Sequence, residues 1–136
     1  MFNVSEKPSI LNIVVWMTQS ILAMVFLLAG SVKIFLPIKE LAIQMDFVKY
    51  VPVFLTRFIG IMEVLGGLGL MIPSMFEIKP LLTPLAAIGL MVDMVLAVIF
   101  HVSRGEFSTI GFNILLAVVA VFVAWARYKK VPITSH

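Results

Sequence analysis

Two carboxylates stand inside apolar runs that would carry none if they only met lipid: Glu63, within IGIMEVLGGLGL, and Asp93, within GLMVDMVLAV. A charge at the middle of a membrane helix costs about 2.5–3.5 kcal/mol even on a lenient insertion scale, so each acid must find a partner or go neutral. Nearer the ends of apolar runs lie Lys33, Arg57 and His101, while Gln19 and Asn113 add uncharged polar groups within runs. An acid held beside a cation in such a place can act as a base, pass a proton or form an ion pair. Glu63 fits a functional group or the partner of Lys33 or Arg57, since Ala or Leu would serve plain packing better. Asp93, Ala97 and His101 follow an i, i+4, i+8 line that aims an acid and an imidazole along one wall. A protonated Asp93 bonded to a neighbouring helix is nearly as good a reading. His101, ahead of SRGE, is explained by the C-terminus of its own helix.

The elements that must position these groups are apolar runs, from Ile10 to Val32, about Phe58 to Ile72, Leu81 to Phe100, and about Ile110 to Ala126. With their flanks they become spans of about 10–32, 56–73, 81–101 and 108–127, each near the roughly 20 residues that cross a hydrocarbon core. The composition agrees: the 136 residues are 62% hydrophobic and 12% charged, with a mean hydropathy of +1.14. Too little polar surface is available to clothe a water-soluble globule. The expected fold is therefore all-α, a four-helix transmembrane bundle forming a single domain over residues 1–136. The first run exceeds a signal-peptide core, lacks an A-x-A site and is followed by Lys33, so it is expected to stay as a span.

Prolines and polar residues punctuate the runs. Pro73 and Ser74 are expected to end the second helix, Pro80 and Pro84 to frame the first turn of the third, and RGEFST to make a hairpin before the fourth. The long connection from Lys33 to Arg57 contains Ile38, Leu41, Ala42, Met45 and Val48 on one helical arc, with Lys49 inside the arc and Phe47 opposite. That pattern predicts an interfacial amphipathic helix between spans one and two. Trp16, Trp125 and Tyr128 read as interfacial anchors, and the nine methionines as adaptable packing.

Topology alone then sorts the polar groups by depth. Lys33 ends helix one, Arg57 begins helix two, His101 ends helix three and Asn113 lies early in helix four, so all face one side of the membrane. Glu63 lies about 9 Å below Arg57 and Asp93 about 12 Å below His101. Lys33, Arg57, Glu63, Asp93, His101 and Asn113 thus share one half of the bundle. Gln19, about 21 Å from Lys33, falls in the other. Gly60 and Gly67 flank Glu63 on its own face, allowing a helix or a flat ligand to approach; with Gly66 and Gly69 they are read as helix-packing positions.

Several function classes are excluded or made remote. The chain has no cysteine, hence no disulfide framework, CxxC pair, Cys-ligated cluster or CxxCH haem attachment. Its two histidines, His101 and the terminal His136, do not make a metal set, so no metal site is expected. The net charge of +3 is dispersed without a basic groove, which argues against nucleic acid. No nucleophile has an evident base, and catalysis by the isolated chain is not expected. Four spans without an internal repeat would make a transport path only as an oligomer. For orientation, Lys7, Lys79, Arg127, Lys129 and Lys130 on the side of the termini oppose Lys33, Lys39, Lys49, Arg57 and Arg104. Setting aside Lys33 and Arg57 as bundle-facing groups favours both termini in the cytoplasm.

The order of motifs is also familiar. FLLAGSVKIF closing the first run, VPVFLTRFIGIMEVLGGLGLMIP, TPLAAIGLMVDMVLAVIFHVSRGE and the final AWARYKK closely resemble the DoxX-like family of small four-helix membrane proteins, from about residue 12 to Arg127. Ala29, Gly30 and Lys33, Glu63 with its trailing glycines, and His101 to Glu106 match the family pattern; Asp93 does not. The resemblance implies a multi-pass protein of a bacterial cytoplasmic membrane and a redox-linked role. In that role it would act as subunit or partner of a quinone-linked oxidoreductase, with a quinone-like ligand near Lys33, Arg57, Glu63, His101 and Asn113. Some relatives resemble assembly factors or cargo receptors, so a non-enzymatic chaperone or interaction protein is the alternative.

Overall fold

The computed structural model describes residues 9–133. Lys7 and His136 lie outside them. Four long helices dominate: α1 (Ile10–Phe35), α3 (Val53–Phe76), α4 (Leu82–Ser103) and α5 (Ile110–Trp125), with a short α2 (Ile38–Gln44) between the first two. Ser9 starts α1 as its N-cap, its hydroxyl accepting from the Asn12 N–H at 3.0 Å. Pro37 and Pro52 precede α2 and α3, where their missing N–H groups cost no helical bond. The chain after α5 widens into one i→i+5 turn over Ala126–Lys130, closed by Val131 N–H on the Ala126 carbonyl at 2.7 Å.

The long helices alternate in direction and form a ring: α1 packs on α3, α3 on α4, α4 on α5, and α5 returns to α1. Leu22 and Phe26 of α1, Leu70 of α3, Leu90 of α4 and Val123 of α5 fill its centre. Outward-facing side chains are as apolar as the core, among them Ile21, Leu28, Phe58, Leu65, Leu96 and Val118. A helix apolar on all sides is at home only in lipid. All four long segments have the length and composition to cross a bilayer, the last running on to Lys130. The protein is a multi-pass integral membrane protein, an all-α bundle of four spans.

Two expectations are corrected. Pro73 does not end its helix: α3 continues to Phe76 and stops at Glu77, which takes left-handed backbone with φ 54°. Proline withdraws the donor that would reach the Gly69 carbonyl, and the Thr83 hydroxyl of α4 donates to that oxygen at 3.3 Å instead. Neighbouring helices rescue membrane-embedded prolines in this way. The connection after α1 is likewise not one helix. It breaks at Met45 into α2 and a 3₁₀ turn over Asp46–Lys49. The break keeps Leu41 and Val48 buried and Ile38, Ala42 and Met45 half-buried, while turning Lys49 out to solvent. Phe47 turns inward, edge-on to Phe100 of α4 with ring centres 6.4 Å apart.

The tightest approach in the ring joins α1 to α3. A Cβ on Gly30 would stand 2.6 Å from the Gly60 carbonyl oxygen, and one on Gly60 would stand 2.8 Å from both the Gly30 oxygen and the Lys33 Cβ. Backbone atoms cannot yield as a side chain can, so Gly60→Val is expected to destabilise the bundle by about 1–3 kcal/mol or more. Gly89, with nothing near its would-be Cβ, is the control. Gly89→Ala is expected to be neutral or to stabilise by up to about 1 kcal/mol. Unfolding in mixed micelles measures both, and equal effects would contradict the packing.

Candidate functional site

Because Gly30 and Gly60 let the two backbones touch, the next turn of each helix brings Lys33 against Glu63. The Lys33 Nζ donates to Glu63 Oε1 at 2.6 Å, with the Glu63 residue 2% exposed and Lys33 7%. From α4, the Asp93 carboxyl faces both Glu63 and Lys33. Its Oδ2 is buried and has no hydrogen-bond partner. One turn above Gly60 on the same face of α3, the buried Thr56 hydroxyl is also unpartnered. The centre is therefore one ammonium facing two carboxyl groups, with a spare acceptor and a spare hydroxyl nearby.

The other expected site residues fall around this centre in distinct roles. Arg57 does not join the ion pair. Its Nη1 donates to the carbonyls of Lys33, Ile34 and Leu36 at 2.9, 3.0 and 2.7 Å, capping the end of α1 with a cation where the helix dipole is negative. His101 Nδ1 lies 3.0 Å from Glu106 Oε1, and Arg104 Nε lies 3.6 Å from the other carboxylate oxygen. The Arg104 guanidinium also stacks over the Tyr50 ring at 3.5 Å. These contacts tie the hairpin after α4 to the segment after α2. The side chain of Asn113, half-buried on α5, makes no hydrogen bond among the described residues. At the exposed edge, Lys49 Nζ is 2.8 Å from Asp46. That amine holds the Asp46 carboxyl below its usual range, and the carboxylate holds the Lys49 ammonium above its own.

The glycines on α3 face two neighbours. Gly60 and Gly67 meet α1, the second against Leu27 and the Ala23 carbonyl, whereas Gly66 meets Leu90 and Gly69 meets Ala86 of α4. At Gly60 and Gly67, on the face of Glu63, it is a neighbouring helix that approaches.

The family model described as the DoxX-like family matches residues 17–123. The chain belongs to the DoxX-like family. No curated protein and no solved structure matched it. The matched stretch includes Lys33, Glu63, Asp93 and the His101–Glu106 contact, so the polar centre lies within the part of this chain that is DoxX-like.

What sequence reading missed is a second buried polar group in the opposite half. Arg127, counted with the charges on the side of the termini, is 1% exposed. Its Nε donates to Gln19 Oε1 at 2.6 Å, and Gln19 Nε2 in turn donates to the Leu70 carbonyl at 2.6 Å and to Ser74 at 3.1 Å. The available signal was Gln19 itself, a mid-span amide needing partners in the half where the last span closes on Arg127.

In the first centre, Lys33→Met leaves two facing carboxyl groups with no cation, a loss expected to reach about 3–5 kcal/mol. Glu63→Gln leaves Asp93 to serve Lys33 and is expected to lose less. Lys33→Met/Glu63→Leu should recover much of the first loss. Unfolding free energies in mixed micelles check the ranking, and equal losses for the two single variants would mean that Asp93 cannot replace Glu63.

Proposed function

We propose that this DoxX-like protein is a membrane subunit or partner of a redox-linked system, in which the Lys33, Glu63 and Asp93 group takes up and returns a proton for a quinone-like lipophilic ligand. The observation that carries the reading is the second carboxyl, that of Asp93, set against an ion pair that is already complete. Two carboxyl groups facing one ammonium are neutral as a group only when they share one proton. A proton held in this way inside hydrocarbon is unusual unless it is used, because apolar residues would pack the same space at lower cost. Reduction of a quinone takes up two electrons and two protons. In this reading the electrons come from an oxidoreductase partner, and this chain serves the proton side. Arg57, His101 and Asn113 lie toward the same membrane face and would form the outer part of the route. The location is a bacterial cytoplasmic membrane with both termini inside. Since Arg127 is buried and Lys33 and Arg57 are engaged by the bundle, that orientation rests on Lys7.

A second reading is favoured by a different observation. Lys33 and Glu63 satisfy each other, and Gly30 and Gly60 fill each other's space, as in a group whose task is to fix helix register. The protein would then be a non-enzymatic assembly or interaction protein, with oligomers as its working form.

Purification from the native membrane in mild detergent, with mass spectrometry of accompanying proteins and lipids, separates the two. The redox reading expects a stoichiometric oxidoreductase or a bound quinone. It also expects Asp93→Asn to lower quinone-dependent turnover of that assembly at least tenfold with little change in the chain's stability. Full turnover in Asp93→Asn, or recovery with unrelated clients and no quinone, would move the assignment to the assembly role.

A further inference from the structure

On their outer side α4 and α5 do not close on each other along their whole length. Where α4 begins and α5 ends they leave a groove of about 490 Å³ open to lipid. Pro84 and Ala124, both buried and both short, make its floor, and Leu85 and Ile88 of α4 face Val121 and Trp125 of α5 across it. From Leu81, the N-cap of α4, to Met91 the groove follows about 15 Å of helix, half the depth of a hydrocarbon core about 30 Å thick. Its ionisable residues, Tyr128 and Lys129, both belong to the i→i+5 turn after α5 and so to the outer end. That turn carries Arg127 into the bundle while Tyr128 and Lys129 stay exposed. Unlike Lys33 and Arg127, Lys129 makes no side-chain hydrogen bond or ion pair among the described residues, so its ammonium is open to a ligand.

We propose that this groove is a binding site for an anionic phospholipid, with one acyl chain lying between α4 and α5 and the headgroup phosphate held by Lys129. The shape is that of a lipid in one leaflet: apolar over the length of an acyl chain, with a cation where the chain meets its headgroup. A spanning helix of a second copy would run on past Met91, whereas an acyl chain ends at about that depth. The flexible stem of Lys129 lets its ammonium reach the phosphate while its methylenes stay on apolar surface. Charge at this edge favours an anionic headgroup over a zwitterionic one. Lys79 stands ahead of α4, and Lys130 Nζ lies 5.8 Å from the centre of the Trp125 ring, while Glu77 is the one carboxylate at this edge among the described residues. Trp125 and Tyr128 suit the same depth, where aromatic side chains with one polar atom collect.

The test uses the full chain reconstituted into bilayers, with Trp16→Phe leaving Trp125 on the groove wall as the one tryptophan. Phosphatidylglycerol or phosphatidylcholine, brominated at the same mid-chain carbons, is added as a minor component to unlabelled phosphatidylcholine, and the quenching of Trp125 is read for each. At equal mole fraction, phosphatidylglycerol is expected to quench at least about threefold more. Lys129→Gln should cut that ratio by about half or more. Lys39→Gln, which removes an exposed cation at the opposite membrane edge, should leave it unchanged. In Trp125→Phe the remaining Trp16 should be quenched alike by the two lipids. Should Trp16→Phe not fold, the unsubstituted chain gives the ratio for both tryptophans together, and its fall in Lys129→Gln is the criterion. Equal quenching of Trp125 by the two lipids, or a ratio that Lys129→Gln does not lower, overturns the proposal. So does the same preference at Trp16, which would mean attraction to the whole basic edge, or little quenching of Trp125 by either lipid, as under a second copy of this chain.

Discussion

Gly30 and Gly60 touch through their backbones, and the charged centre depends on that touch. Helices in lipid gain little from burying apolar side chains against one another, because lipid tails are just as apolar, so close packing and interhelical polar contacts must hold them together. With any larger residue at either position α1 and α3 would separate, and the Lys33 ammonium would no longer reach Glu63. Both charges would then face hydrocarbon, where each is expensive. The glycine contact and the ion pair are therefore one device: the first sets the distance, and the second makes that distance favourable.

The same dependence explains which features could be read along the chain. Apolar runs of spanning length fixed the number and approximate limits of the helices, because in lipid only a fully hydrogen-bonded helix is available to such a run. Depth could be read as well, since residues from a helix end convert directly into height, and Lys33, Glu63 and Asp93 do lie in one half. What spacing leaves open is rotation. Whether Asp93 on α4 faces Glu63 on α3 or faces lipid depends on how the helices are turned against each other, and Gly66 and Gly69 set that by admitting Leu90 and Ala86. Pro73 was misread for a related reason. The rule that proline stops a helix assumes that no neighbour will take the freed carbonyl, and Thr83 of α4 takes it. Arg127 was hidden by its company, since Lys129 and Lys130 beside it make the segment look like a solvated tail.

The two buried polar groups divide the work of holding the ring. The Lys33 centre draws on α1, α3 and α4 and leaves α5 out, as Asn113 makes no bond there. The Arg127 group brings α5 in. Its Gln19 partner belongs to α1, Gln19 reaches Leu70 and Ser74 of α3, and Ser74 is 2.8 Å from Thr83 of α4. One network thus connects all four spans in one half of the bundle, and a different one connects three of them in the other.

This division makes arginine, rather than any cation, necessary at position 127. The side chains of α5 touch α1 only lightly, so the ring closes there through hydrogen bonds more than through packing. Asn12 and Gln19 are seven residues apart on α1, close to two turns and on the same face. Their side-chain oxygens converge on one group between the two turns. The guanidinium does so with two nitrogens at once, Nε to Gln19 and Nη1 to Asn12, with the Trp16 ring lying between them in sequence. A lysine would offer one compact ammonium in place of the fork. Its single nitrogen would have to serve both turns of α1 from one point, without the fixed fork that holds Gln19 and Asn12 at separate nitrogens.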